Sequence, residues 1–171
     1  DSWPLFRGIL LIAPMLGADA PPKIVRDIIR ATILKWDPSG IMPGFLSNSA
    51  QVLPGDLARD HEKQNFTRRN DYGTAKGALG WRKGMKWATA NAFMEFLEAL
   101  EDHIRAVSCP VLILHDPDDV ITFYSGSEKF MELSESKDKT LTAVPNGLHD
   151  LVANDPEAVI PVMLAWMLQR L

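Results

Sequence analysis

Apolar residues along this chain form short unbroken runs at three places and helically spaced stripes between them. The runs at residues 8–13 and 110–115 contain no alternating polar positions, which is typical of strands buried on both faces of a parallel sheet. Residues 140–144 predict a third, weaker strand. Because parallel strands require long crossover connections, the pattern predicts an α/β fold with helices between its strands.

Apolar spacing predicts helices over residues 23–36, 87–104 and 125–134. The predicted packing face of the second helix is formed by Phe93, Phe96, Leu97, Leu100 and Ile104. In the third, Ser125 and Glu128 have the spacing of a capping box.

A last helix is predicted after Asp155, a favourable N-cap residue that Pro156 follows at the first helical position. Pro161 lies further inside this segment, where it removes a backbone hydrogen bond. We therefore expect this helix to start late or to bend.

The region between the first two strands contains too many prolines and glycines for one long element over residues 37–60. Residues 60–76 are polar and predict a solvated surface. The whole stretch is interpreted as an excursion between strands and not as an independent domain.

The composition of the chain argues against several classes of function. The 171 residues include 46% hydrophobic and 23% charged residues, and 22 acidic against 18 basic residues give a net charge of -4. This balance argues against a nucleic-acid partner, and no apolar run reaches the roughly 18 to 20 residues of a membrane span. The single cysteine, Cys109, allows neither an internal disulfide nor a thiolate metal cluster, which favours a reducing compartment.

Candidate chemistry lies in two loops that follow the second and third strands. The first contains Asp116, Asp118 and Asp119, and the second contains His149. Loops at the carboxyl ends of neighbouring parallel strands meet at one edge of the sheet, where a carboxylate can orient an imidazole that acts as a base. The carboxylates lack the spacing of a calcium loop, so a metal site is disfavoured. The other histidines, His61, His103 and His115, have no comparable context.

The segments around these loops resemble a known family. They are Pro110-Val111-Leu112-Ile113-Leu114, Asp119-Val120-Ile121, Phe130-Met131-Glu132-Leu133, Asp138-Lys139-Thr140-Leu141 and Leu148-His149-Asp150-Leu151. They resemble the α/β-hydrolase fold and, within it, the monoacylglycerol lipase and lysophospholipase-like group, also labelled serine aminopeptidase S33. The resemblance covers the whole chain and is strongest from Cys109 onward.

The resemblance implies the carboxyl-terminal part of an α/β-hydrolase fold, with three parallel strands, flanking helices and a helical cap insertion. It divides the chain into a core strand and turn at 1–20, a cap or lid region with a return helix at 21–106, and a carboxyl-terminal core at 107–171. It also implies a cytoplasmic lipid-ester hydrolase that needs no cofactor or metal and makes at most peripheral membrane contact.

The same resemblance suggests roles for single residues. It implies that Asp119 is the acid and His149 the base of a Ser-His-Asp triad, and that Ile121 lies near the substrate. Asp116 and Asp118 compete for the acid role, and Asp116 occupies a position where the family usually has glycine. Residues of the cap that could line an acyl tunnel, although core packing explains each of them as well, are Trp36, Met42, Phe45, Leu46, Met85, Trp87 and Met94.

The nucleophile is missing from this sequence, because no G-x-S-x-G pentapeptide occurs in it. Ser125-Gly126-Ser127 lacks the required flanking glycines, and Cys109 precedes its strand at the wrong end of the sheet. We therefore expect a missing amino-terminal half to supply the serine and to cover the first strand. The alternative is a non-catalytic fragment or partner-binding module that pairs through its exposed strand.

Overall fold

A parallel sheet forms the centre of the protein. The computed structural model describes residues 7–17, 22–43, 53–70 and 85–170, and the sheet has the order β1 (Ile9–Ile12), β2 (Val111–His115), β3 (Lys139–Ala143). Ile9 aligns with Val111 in one parallel pair, and His115 aligns with Ala143 in the other. The predicted α/β fold is confirmed, and the third strand begins one residue earlier than predicted.

The central strand β2 is buried along its whole length. Its Leu112 and Leu114 contribute to a core cluster on one face of the sheet, while Val111 and Ile113 contribute to another on the opposite face. Both faces of β2 are therefore covered, which explains its unbroken apolar run. The side chains of β1 are only partly buried, and among the described residues β1 pairs with β2 alone.

The described residues of the excursion between β1 and β2 are largely helical. Its elements are α1 (Lys23–Ala31), α2 (Ile33–Trp36), α3 (Pro54–Leu57), α4 (His61–Asn70) and α5 (Trp87–Arg105). The single helix predicted over 23–36 is interrupted at Thr32, whose hydroxyl donates to the Ile28 carbonyl at 2.6 Å. A side chain that bonds to the preceding turn competes with regular helix bonding.

The packing face of α5 differs from the predicted one. Ile104 is buried and Leu97 and Leu100 are partly buried, whereas Phe93 and Phe96 are exposed. The sequence spacing correctly predicted the helix but was wrong about these two aromatic residues, because amphipathic spacing alone does not say which part of a wide apolar face meets the core. None of the helices in the described part of the chain is long and apolar enough to cross a membrane.

Helix α6 (Tyr124–Leu133) crosses between β2 and β3. Its N-cap residue is Phe123, and no side chain caps the helix start. The predicted capping box of Ser125 and Glu128 is therefore wrong, since Ser125 already lies inside the first turn.

Two helices follow β3, the unpredicted α7 (Leu151–Asn154) and the longer α8 (Pro156–Leu168). Asp155 caps α8 by accepting from the Ala158 amide at 3.2 Å, as predicted. The expected late start is wrong, because α8 begins at Pro156 and continues through Pro161, and the alternative, a bend at Pro161, stays a prediction. Val159 of α8 is buried against the sheet.

Candidate active site

The loops that follow β2 and β3 leave the same edge of the sheet, because the two strands are parallel neighbours. There the structure brings Asp119 and His149 together, with 2.9 Å between Asp119 Oδ2 and His149 Nδ1. The Asp119 carboxylate is buried, whereas the His149 side chain keeps 28% of its surface exposed. The imidazole therefore lies between the buried Asp119 carboxylate and solvent.

The Asp119 carboxylate is surrounded by donors. Its Oδ1 accepts from the backbone amides of Ile121 at 2.7 Å and Thr122 at 3.1 Å. Its Oδ2 accepts from the Thr122 hydroxyl at 2.9 Å as well as from His149. Because a carboxylate only accepts, His149 Nδ1 carries a proton here, and in the neutral ring the lone pair is then on Nε2. The ring is thus held in the tautomer that a general base requires.

Electrostatics keep Asp119 ionised. Burial raises its pKa, because the charged form loses water, but hydrogen bonds from His115, His149 and the amides of Ile121 and Thr122 act in the opposite direction. Their combined effect is larger, so the pKa of Asp119 lies well below its ordinary value of 3.8. The Asp119 carboxylate is therefore ionised at neutral pH.

The lowered pKa of Asp119 predicts an acid-sensitive contribution to stability. A carboxyl whose pKa is lower in the folded state stabilises the fold above its unfolded pKa, and this contribution is lost as the pH falls below about 4. Urea unfolding of the complete protein between about pH 6 and pH 2 is expected to give a steeper loss of unfolding free energy than in Asp119→Asn, by at most about 1.4 kcal/mol per pH unit. Parallel curves for the two proteins would contradict this.

His115, the last residue of β2, is a buried histidine that sequence reasoning did not connect with the site. Its Nε2 lies 2.9 Å from the Thr122 carbonyl and 3.4 Å from Asp119 Oδ2, and its Nδ1 lies 2.7 Å from Ser127 Oγ. Since both neighbours of Nε2 named here are acceptors, Nε2 carries the proton and Nδ1 accepts from the serine hydroxyl. The alternation of side chains along β2 could have predicted this position, because it places His115 on the same face of the sheet as Val111 and Ile113, toward α6.

The other two acidic residues of the first loop have different surroundings. Asp116 is buried, and its carboxylate accepts from the amides of Asp118 at 3.0 Å and Leu148 at 2.6 Å. Asp118 is exposed. Ile121 is partly buried beside Asp119, with its amide on the carboxylate.

The excursion reaches back to the loop that contains His149, a contact the sequence did not predict. The amides of His149 and Asp150 donate to the carbonyls of Asp56 and Leu57, at 3.4 and 3.3 Å. Asn154 Nδ2 lies 2.8 Å from both the Leu57 and Gly147 carbonyls. Helix α3 and the histidine loop are thus bonded to each other.

A cavity of about 370 Å³ lies between the segment that follows β1, α1, α5 and α6. Apolar side chains such as Leu97 line it together with charged ones such as Arg26 and Lys129. Of the residues predicted to line an acyl tunnel, Met94 contributes to this cavity, and Trp36 is 83% exposed. Ile121 does not line it. Phe45 and Leu46 lie outside the described residues.

Two other candidates that the sequence raises are Cys109 as a nucleophile and a metal site in the first loop. Cys109 is partly buried and precedes β2, at the edge of the sheet opposite the two loops. Within the described residues no group of three or more histidine, cysteine, aspartate or glutamate side chains could hold a metal ion.

The parallel sheet, with an aspartate and a histidine in the loops after neighbouring strands, has the arrangement expected of the carboxyl-terminal part of an α/β-hydrolase fold. The chain belongs to the serine aminopeptidase S33 family, whose model matches residues 2–157. The resemblance noted in the sequence is therefore confirmed at the level of fold and family.

Solved structures agree on the fold. A monoacylglycerol lipase from Paleococcus ferrophilus matches with a TM-score of 0.71 and 18% identity over 96% of this chain and 60% of its own. A soluble variant of monoglyceride lipase from Saccharomyces cerevisiae, solved with a substrate analogue, matches with a TM-score of 0.68 and 19% identity over 96% of this chain and 56% of its own. The chain thus spans less than two thirds of the length of either protein.

Proposed function

We propose that the complete protein is a serine hydrolase that cleaves carboxylic esters, with His149 as general base and Asp119 as the acid that orients it. The observation that supports this most strongly is the 2.9 Å hydrogen bond between a buried, ionised Asp119 and a solvent-accessible His149. A base of this kind needs a hydroxyl to deprotonate. A serine from the part of the fold that these 171 residues do not include supplies it in our proposal.

The proposed reaction has two halves. The serine Oγ attacks the ester carbonyl while His149 Nε2 takes its proton, and Asp119 stabilises the resulting imidazolium. His149 then gives that proton to the leaving alcohol, and the acyl group remains on the serine. Water attacks the acyl-enzyme, loses a proton to His149 and releases the fatty acid, and the serine recovers its proton. No cofactor or metal takes part.

The substrate class we propose is a lipid monoester, such as a monoacylglycerol or a lysophospholipid. Two of the structures that share this fold carry the names monoacylglycerol lipase and monoglyceride lipase. Exposed apolar side chains on α1 and α5, among them Ile24, Ile28, Phe93 and Phe96, suit a surface that meets lipid. Contact with a membrane would then be peripheral, with residues 21–106 acting as the cap.

The complete protein is expected to hydrolyse p-nitrophenyl esters and a monoacylglycerol, and to react with a fluorophosphonate at one serine. Peptide mapping would place this label outside residues 1–171. Absence of both hydrolysis and labelling in a folded protein would overturn the proposal and favour a partner-binding module that uses the β1 edge. A label on a serine within residues 1–171 would overturn the assignment of the nucleophile alone.

A further inference from the structure

The buried carboxylate of Asp116 has no place in the reaction proposed above, yet it touches both loops of the site. Asp116 directly follows β2 and is 0% exposed. One oxygen accepts from the Asp118 amide within the acid loop, at 3.0 Å. The other accepts from the Leu148 amide in the histidine loop, at 2.6 Å. The side chain is therefore a direct link between the two loops.

The partner in the histidine loop has an unfavourable backbone conformation. Leu148 has a φ of 53°, in the left-handed region that residues with a Cβ rarely adopt. Such a conformation persists only where neighbouring groups hold it. The short bond from the Leu148 amide to a buried anion provides such a hold, since hydrogen bonds to charged acceptors are stronger than neutral ones.

Leu148 directly precedes His149, so the backbone conformation of Leu148 determines the position and direction of the His149 side chain. We infer that Asp116 is a positioning residue, which ties the acid loop to the histidine loop and thereby keeps His149 in reach of Asp119. This inference rests on the proposed function of His149 as a base. The loop is also held by Asn154 on the Gly147 carbonyl, so Asp116 shares this task.

The test compares Asp116→Ala and Asp116→Asn with Asp118→Ala in the complete protein. Asp118→Ala is the matched control, because it removes the same charge from the same loop at an exposed position. We expect Asp116→Ala to lower kcat for ester hydrolysis by about 10- to 100-fold with little change in KM, since a small misplacement of a catalytic group has an effect of this order. Asp116→Asn is expected to recover most of kcat, because its amide oxygen can still accept from Leu148. Asp118→Ala should match the wild type.

A second measurement does not depend on activity. Hydrogen exchange at the Leu148 amide is expected to be faster in Asp116→Ala than in the wild type and unchanged in Asp118→Ala. Asp116→Asn, whose neutral oxygen is a weaker acceptor than a carboxylate, is expected to give an exchange rate between those of the wild type and Asp116→Ala. Wild-type kcat or unchanged Leu148 exchange in Asp116→Ala would overturn the inference. If Asp116→Ala does not fold, a Leu148 exchange rate in Asp116→Asn equal to that of the wild type would overturn it instead. If the complete protein hydrolyses no ester, the proposed function fails, whereas the exchange result still shows whether Asp116 links the loops.

Discussion

Replacing His149 by alanine is expected to lower kcat for ester hydrolysis by the complete protein by at least about 10⁴-fold. The imidazole is the group we assign to proton transfer, and its Nδ1 lies 2.9 Å from Asp119 Oδ2, so its loss removes both the base and the group that the acid orients. Steady-state kinetics with a p-nitrophenyl ester measure the change. Fluorophosphonate labelling of the serine is expected to slow as well, because the same base activates the nucleophile in both reactions.

The matched control for this experiment is His103→Ala. His103 lies on α5 and is exposed, and its Nδ1 lies 2.7 Å from the Ala99 carbonyl of the preceding turn. It should leave kcat unchanged. A His149→Ala protein that is folded by circular dichroism and keeps kcat within about tenfold of the wild type would remove His149 from the mechanism.

Replacing Asp119 by asparagine is expected to lower kcat by about 10⁴-fold with a smaller effect on KM. Both oxygens of Asp119 face donors, the Ile121 and Thr122 amides on one side and His149 Nδ1 on the other. An asparagine NH₂ would oppose a donor in either orientation. Turned toward the ring, it would favour the tautomer with the proton on Nε2, which cannot act as a base.

Two further variants test whether Asp119 acts through His149. Asp118→Asn, at an exposed position in the same loop, is expected to have wild-type kinetics. The double variant Asp119→Asn with His149→Ala is expected to be no slower than His149→Ala alone, because residues that act as a unit are not additive. Independent losses that multiply in the double variant would show that Asp119 does not act through His149.

Sequence patterns predicted the parts of this fold that depend on burial. The apolar run of β2 reflects a strand covered on both faces, and the order of strand, loop and helix around it placed Asp119 and His149 at one edge of the sheet. Neighbouring parallel strands end together, so this proximity follows from topology. The same reasoning could not choose among Asp116, Asp118 and Asp119, because the turn between them decides which carboxylate faces the ring.

Other features depend on contacts between distant segments, which spacing does not reveal. His115 bonds to Ser127 of the next helix and Asp116 bonds to Leu148, more than thirty positions further along. The exposed position of Phe93 likewise depends on where α5 meets its neighbours and not on its own periodicity. Such contacts require the three-dimensional arrangement of several elements at once.

The bonds between α3 and the histidine loop have a consequence for how this protein can change. Asp56 and Leu57 contact the histidine loop through backbone carbonyls, so these two bonds do not involve their side chains directly but do depend on the length of chain that leads to α3. Insertions or deletions close to them would displace the peptide that contains His149. Variation in chain length is therefore expected to be tolerated better elsewhere in the excursion than beside these two carbonyls.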